Sequence, residues 1–173
     1  YRLGQLRKMH NVALFPASEL SAQDVADFGA DHVVVAPGAR WLKRLCGSNE
    51  LPSVYIAGPN IFTPDDLASG ATPAGPVLVF DFDNYFPRSA ISEGLASQGL
   101  DVHYVTTAGA ASAWTFMTNE QPLIHQALAR RGISYRTLQI VTGFDGESVH
   151  LSQIFTGEPS EIAAKSLVIV GQR

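Results

Sequence analysis

A chain of 173 residues, 46% hydrophobic and 16% charged, is long enough to bury one ordinary core and too apolar to be a disordered segment. Its net charge of -4 arises from 16 acidic and 12 basic residues with no basic stripe, which excludes a nucleic-acid-binding face. No apolar run approaches the roughly 20 residues of a membrane span and the N-terminus lacks the regions of a secretory signal, so cytoplasm is the expected compartment.

In chain order, Arg2–His10 is a short, partly amphipathic segment, followed by a strand candidate at Val12–Phe15. Ser18 or Ser21 can cap a helix over Ala22–Phe28, with Asp24 in its first turn and Gly29 as its stop. Val33–Val35 is a continuous apolar run of the kind that a strand buried on both faces needs. The tight turn Ala36-Pro37-Gly38-Ala39-Arg40-Trp41 closes it. Residues 42–74 hold Pro52, Gly58-Pro59, Thr63-Pro64 and Thr72–Pro76 and read as a crossover with little regular structure. Within it, Thr63 is a good N-cap for a short helix at Pro64–Ser69, with Asp65 and Asp66 in the first turn.

From Gly75 the pattern is that of a βαβ unit, with a strand at Val77–Phe80, a helix at Ser89–Gln98 and a second strand at Leu100–Val105. A loop at Thr106–Ser112 precedes a helix at Glu120–Arg131, whose Leu123, Ile124, Ala127 and Leu128 share a face and which Gly132 stops. Tyr135–Thr142 and Ser148–Phe155 alternate as strands joined by a hairpin turn at Gly143–Gly146, and a last strand, Ser166–Val170, follows a Pro159-containing loop. The abrupt ends of the chain give the expectation of a piece excised from a larger protein.

The turn after the first strand of the βαβ unit is the informative one. A dinucleotide site carries G-x-G-x-x-G there, so that the backbone can approach a pyrophosphate seated on the helix N-terminus. Phe80–Ala90 contains no glycine and sets Asp81 and Asp83 where the phosphates would lie, with Tyr85, Phe86 and Arg88 filling the remaining space. Two carboxylates at that spot repel an anion. Val105-Thr106-Thr107, at the end of the second strand, offers neither the acidic residue of an NAD site nor the arginine of an NADP site. At i and i+2, Asp81 and Asp83 point the same way, which suits a structural turn or a metal or acid/base pair.

Elsewhere, Gly38 with Arg40 and Trp41 follows a strand at the edge of a sheet where nucleotides are held; a tight turn with a packing tryptophan is the other reading. His10, His32, His103, His125 and His150 lack ligand spacing, and Ser89, Ser92, Ser97 and Ser112 sit in no nucleophile elbow. Cys46, the single cysteine, is either inert or a reactive thiol and cannot alone hold a cluster or a zinc ion. Trp114 and Phe116 either cover an interface between lobes or stack on a cofactor. No residue is assigned a catalytic or metal-binding role.

The order of pieces resembles flavoprotein disulfide-reductase-type folds, in which a second nucleotide-binding domain is inserted into a first. More narrowly, YRLGQLRK, DVADFGADHVVVAPGARW, FTPDDLASG, VLVFDFDNYF and SLVIVGQR resemble the C-terminal part of the trimethylamine dehydrogenase family. These are NADH:flavin oxidoreductases related to old yellow enzyme, with dienoyl-CoA reductase-like members. The resemblance implies an α/β fold, a Rossmann-like three-layer lobe inserted in a partial second nucleotide-binding fold. Residues 1–41 would then be part of the FAD/ADP-binding-like fold, 42–74 the crossover, 75–164 the inserted NAD(P)-binding-like lobe and 165–173 a return strand to the first fold. It implies a parent with FMN, a 4Fe–4S cluster and ADP or FAD, none of them expected in this piece alone except where Gly38, Arg40 and Trp41 touch a nucleotide in the parent. The piece itself is expected to catalyse nothing. Its partners would be the parent's barrel domain and an electron-transfer protein as the parent's acceptor, with neither nucleic acid nor membrane involved. Two alternatives stay open, an NAD(P)H-binding domain of an enoate or dienoyl-CoA-type reductase and a free-standing Rossmann-like interaction domain.

Overall fold

A computed structural model describes residues 1–43, 56 and 58–173; Cys46 and Pro52 lie outside the described residues. Two units divide the chain, Tyr1–Gly38 and Ala39–Arg173. The first holds α1 (Arg2–Leu6) and α2 (Ala22–Asp27). Helix α2 starts where the sequence predicts: the Ser21 hydroxyl accepts from the Asp24 amide, and the Asp24 carboxylate accepts from the Ser21 amide at 2.8 Å. Gly29, at φ +68°, ends it.

The two strand candidates of this unit are corrected. Val12–Phe15 and Val33–Val35 are irregular, and all three valines of the second run are exposed. An apolar run becomes a buried strand only when neighbours pair its backbone and layers cover both its faces. Among the described residues of the unit nothing does either. Among the described residues, none of 1–41 lies in a strand.

In the second unit β1 (Ile61–Phe62) leads into α3 (Pro64–Ala68), and β2 (Val77–Asp81), α4 (Pro87–Ser97) and β3 (Val102–Thr106) form the expected βαβ unit. A 3-10 turn (Ala113–Thr118) and α5 (Gln121–Arg130) follow, then β4 (Ser134–Arg136), β5 (Gln139–Phe144), β6 (Ser148–Gln153), β7 (Pro159–Ala163) and β8 (Ser166–Val170). Five strands make a parallel sheet in the order β1-β8-β2-β3-β4, and β5-β6-β7 make an antiparallel sheet.

Alternation along β2 organises the layers. Val77 and Val79 turn to one face, where with Val102, Tyr104, Val168 and Val170 they pack on Leu95 of α4 and Leu128 of α5. Leu78 and Phe80 turn to the other, where with Val105, Leu167 and Ile169 they meet Ile140, Val141, Val149, Leu151 and Ile162 of the antiparallel sheet. Helices, parallel sheet and antiparallel sheet are thus the three layers. Each fully buried Val, Leu or Ile contributes about 1.5–3 kcal/mol to holding them together.

Three further expectations are corrected. Residues 165–173 do not supply a return strand to another sheet: β8 runs between β1 and β2, because Ser166–Val170 is buried at all five positions and only the sheet's interior covers both its faces. Tyr135–Thr142 is not one strand, since Leu138 at φ +55° turns the chain from the parallel sheet into the antiparallel one. The hairpin turn lies later than predicted. Asp145 accepts from the amides of Glu147 and Ser148 at 2.9 and 2.7 Å, and Gly146 takes φ +98°, whereas Gly143 and Phe144 still pair in β5.

At α3, buried Thr63 accepts from the Asp66 amide at 3.3 Å while the Asp66 carboxylate receives the Thr63 amide and hydroxyl. Partial burial pushes the Asp66 carboxyl up, but the hydrogen bonds from Thr63 and the Lys43 ammonium at 3.1 Å outweigh it and hold it below the ordinary carboxylate value. A folded pKa below the unfolded one stabilises the fold above that ordinary value, and the gain is lost as pH falls through the lower folded value. Thr63→Ala is expected to cost about 1 kcal/mol in urea unfolding at neutral pH. In a carboxyl NMR titration, Asp66 should titrate lower in the folded chain than in the urea-unfolded chain; a midpoint no lower than the unfolded one would refute the assignment.

Candidate functional site: the closed turn after β2

Asp81 follows the parity of Val77 and Val79, so its side chain turns toward α4 and the Tyr104 side of the sheet, where it is fully buried. Both its oxygens are engaged. Oδ1 accepts from the Asn84 amide at 2.7 Å and from Nη1 of Arg88; Oδ2 accepts from the Tyr104 hydroxyl and, at 3.4 Å, from the Ser112 amide. Four donors fill the roughly four lone-pair sites of a carboxylate. The metal and acid/base readings of the Asp81–Asp83 pair are therefore corrected: Asp81 has nothing left to offer a cation or a proton.

Arg88, in the first turn of α4, is as buried as its partner. Burial lowers its guanidinium to about 9, opposed by the interaction with Tyr104 and aided by the positive charge of Arg173, which leaves it charged at neutral pH. Its Nη2 lies 3.5 Å from Asp83, whose side chain is partly exposed. The expectation of two free carboxylates repelling an anion is accordingly refined. Two aspartates and one guanidinium leave one net negative charge, and it is the volume of the buried arginine that closes the turn.

The surrounding backbone conforms to this arrangement. Asn84, at φ +59°, takes the left-handed conformation that glycine would take in a phosphate-binding turn, and it receives a hydrogen bond from Thr106 at 2.9 Å. Ser112, at φ +48° and fully buried, donates its amide to the Tyr104 hydroxyl oxygen at 3.0 Å. Burial pushes the Tyr104 hydroxyl up, opposed by the hydrogen bonds with Ser112 and the charge of Arg88. The Trp114 amide donates to the Asn84 carbonyl at 2.8 Å, which ties the 3-10 turn to the loop after β2.

Of the residues singled out for nucleotide contact, the structure brings Arg40 and Trp41 to α3. Arg40 lines a shallow groove with Asp65, Asp66, Ala68 and Ser69, and the Trp41 amide donates to Asp65 at 2.8 Å. The Trp41 ring packs on the helix-side core beneath Arg173, whose guanidinium carbon stands 4.1 Å from the ring centroid. Gly38 belongs to the first unit; its φ of +77° calls for glycine, and open space surrounds the position of a Cβ there. Trp114 and Phe116 are exposed.

Tyr104, Ser112 and Asn84 were not legible as site residues. The register of β2 and β3, Val79 opposite Tyr104 and Asp81 opposite Thr106, is the signal that puts the hydroxyl on the face of the carboxylate. Among the described residues no group of three or more His, Cys, Asp and Glu is set to hold a metal ion, and no helix is long and apolar enough to cross a membrane.

A parallel sheet with a strand–turn–helix opening and helices on one face defines an α/β, Rossmann-like lobe of the kind found in flavoprotein oxidoreductases. The chain is 28% identical over 116 residues to dimethylamine dehydrogenase from Hyphomicrobium sp. (strain x), a match covering 62% of this chain and 16% of that protein. The solved structure of 6-hydroxypseudooxynicotine amine oxidase from Pseudomonas geniculata N1 superposes with a TM-score of 0.86 at 36% identity, over 96% of this chain and 25% of that one. Histamine dehydrogenase from Rhizobium sp. 4-9 gives a TM-score of 0.87 at 30% identity, over 99% of this chain and 27% of that one. No family model matches the sequence. The chain thus shows homology to dimethylamine dehydrogenase and structural likeness to the C-terminal part of these trimethylamine dehydrogenase-like enzymes, and it spans about a quarter of the length of the two solved relatives.

Breaking a buried ion pair from one side leaves an uncompensated charge, so Arg88→Met should cost about 3–5 kcal/mol. Tyr104→Phe should cost about 1.5–3 kcal/mol, the range for a hydrogen bond to a charged group. The double variant Asp81→Leu with Arg88→Met should cost less than the sum of the two single variants but recover only part of the loss, because the Asn84, Tyr104 and Ser112 donors are left without Asp81. Urea unfolding of the cycle measures all three; a double variant as damaged as the sum of its parts would show that the two side chains do not act as a pair.

Proposed function

We propose that this chain is the non-catalytic, nucleotide-fold part of a longer flavin- and iron–sulfur-dependent oxidoreductase acting on an amine. The observation that carries the reading is the turn after β2, where a saturated Asp81 and a buried Arg88 occupy the place of a glycine-rich phosphate loop. A nicotinamide dinucleotide does not fit there: its pyrophosphate would have to displace a buried guanidinium and lie beside a net negative charge. That favours an amine dehydrogenase, passing electrons to a protein acceptor, over a reductase fed by NAD(P)H. The relatives' names, dimethylamine dehydrogenase, histamine dehydrogenase and an amine oxidase, support the same side.

In this reading residues 1–41 contribute to an ADP- or FAD-holding fold of the parent, residues 42–74 cross over, and the region from Gly75 is a lobe that has lost its ligand. Gly38, Arg40 and Trp41 are the residues of this chain proposed to lie near that nucleotide. FMN and a 4Fe–4S cluster, which supply the redox chemistry, would be held by the barrel of the parent, with an electron-transfer protein taking the electrons. Cytoplasm is the compartment proposed.

Calorimetric titration of the 173-residue chain tests the reading. NADH and NADPH should produce no binding heat, in the chain itself and in Asn84→Gly. Micromolar affinity for either nucleotide would sink the argument from the closed turn and favour the reductase.

A further inference from the structure

On the outer side of the lobe stands a ridge that the closed turn does not explain. Trp114, Phe116 and Met117 are 62%, 69% and 75% exposed, and Leu123 in the first turn of α5 is 67% exposed. Half-exposed Phe86 sits two residues beyond Asn84, whose carbonyl holds the Trp114 amide. Scattered apolar residues on a surface need no explanation, but three large ones within four positions do.

The ridge is rigid. Its backbone is pinned between two left-handed residues, Ser112 and Asn119, and Thr115 is fully buried with its hydroxyl donating to the Ser112 carbonyl at 2.6 Å. Gln121 also reaches back to the Ala113 carbonyl at 3.5 Å. A surface ordered in advance loses little conformational entropy when it is covered. It also carries no charge: between Ala113 and Asn119 there is no acidic or basic residue. Transient redox partners meet through small, charge-steered contacts, whereas permanent interfaces have apolar centres rich in aromatic residues and methionine.

We infer that the ridge Trp114–Met117, with Leu123, is a permanent interface covered by an apolar, uncharged surface from the rest of a longer polypeptide, and is not a landing site for a separate electron carrier. The inference rests on the reading proposed above. The solved relatives support the choice of occupant, since about three-quarters of their length lies outside the part that this chain matches.

Hydroxyl-radical footprinting of the 173-residue chain and of the native protein that contains it tests this. Trp114, Phe116 and Met117 should be modified readily in the chain alone and roughly an order of magnitude more slowly in the native protein, as in a dry interface centre. Buried Tyr104 should stay protected in both. Equal rates in the two samples would overturn the inference, as would protection of the chain alone on raising its concentration, which marks a second copy as the occupant. The variant Trp114→Ser with Phe116→Ser should leave the unfolding midpoint of the chain unchanged and lower the Tm of the native protein; an unchanged native Tm would also overturn it. The intact mass of the native polypeptide separates the two failures. A native polypeptide no longer than this chain sinks the parent reading and this inference together, while a long one with an accessible ridge sinks this inference alone.

Discussion

A carboxylate withdrawn from water at the end of a strand must find a donor for every lone pair, and around Asp81 the lobe is arranged to meet that demand. The donors come from residues 84, 88, 104 and 112, which lie in a loop, a helix, a strand and a second loop. The left-handed backbones of Asn84 and Ser112 are what bring two of them into reach. Each such residue costs free energy locally and persists only because its surroundings fix it. In dinucleotide-binding relatives of this architecture the equivalent turn is left open for a ligand's phosphates. Here the protein's own carboxylate and guanidinium fill it, so the turn is stable without a ligand.

Much of this was legible in the residues. Thr63-Pro64-Asp65-Asp66 and Ser21 with Asp24 predict their helices because capping is a contact across three residues. Glycine-free Phe80–Ala90 predicts a closed turn for the same local reason. What was missed depends on distance along the chain. The pairing of Asp81 with Tyr104 crosses 23 residues, and only the register of β2 against β3 reveals it. The division of residues 134–144 between two sheets turns on Leu138, a residue type that carries no signal for a positive φ. Val33–Val35 misled for a different reason: its apolar pattern matches a buried strand, and pattern alone cannot supply the neighbours that would bury it.

The similarity to dimethylamine dehydrogenase and to the solved amine oxidase and histamine dehydrogenase bears most directly on fold and lineage. The lobe is therefore best understood through what it packs: helices on one face of the parallel sheet, an antiparallel sheet on the other, and a rigid apolar ridge beside the closed turn.

The borders of the two sheets bear on how such a body can associate. In the parallel sheet the outermost strands are β1, with two residues, and β4, with three, too short to template another strand. In the antiparallel sheet β7 begins with Pro159 and carries Glu161, and β5 is broken by a bulge between Val141 and Gly143. Proline, charge, brevity and a bulge are the devices that stop a sheet from growing sideways. Among the described residues, backbone-to-backbone addition is thereby discouraged at the borders of both sheets, which favours association through side chains, where shape and composition can select the partner.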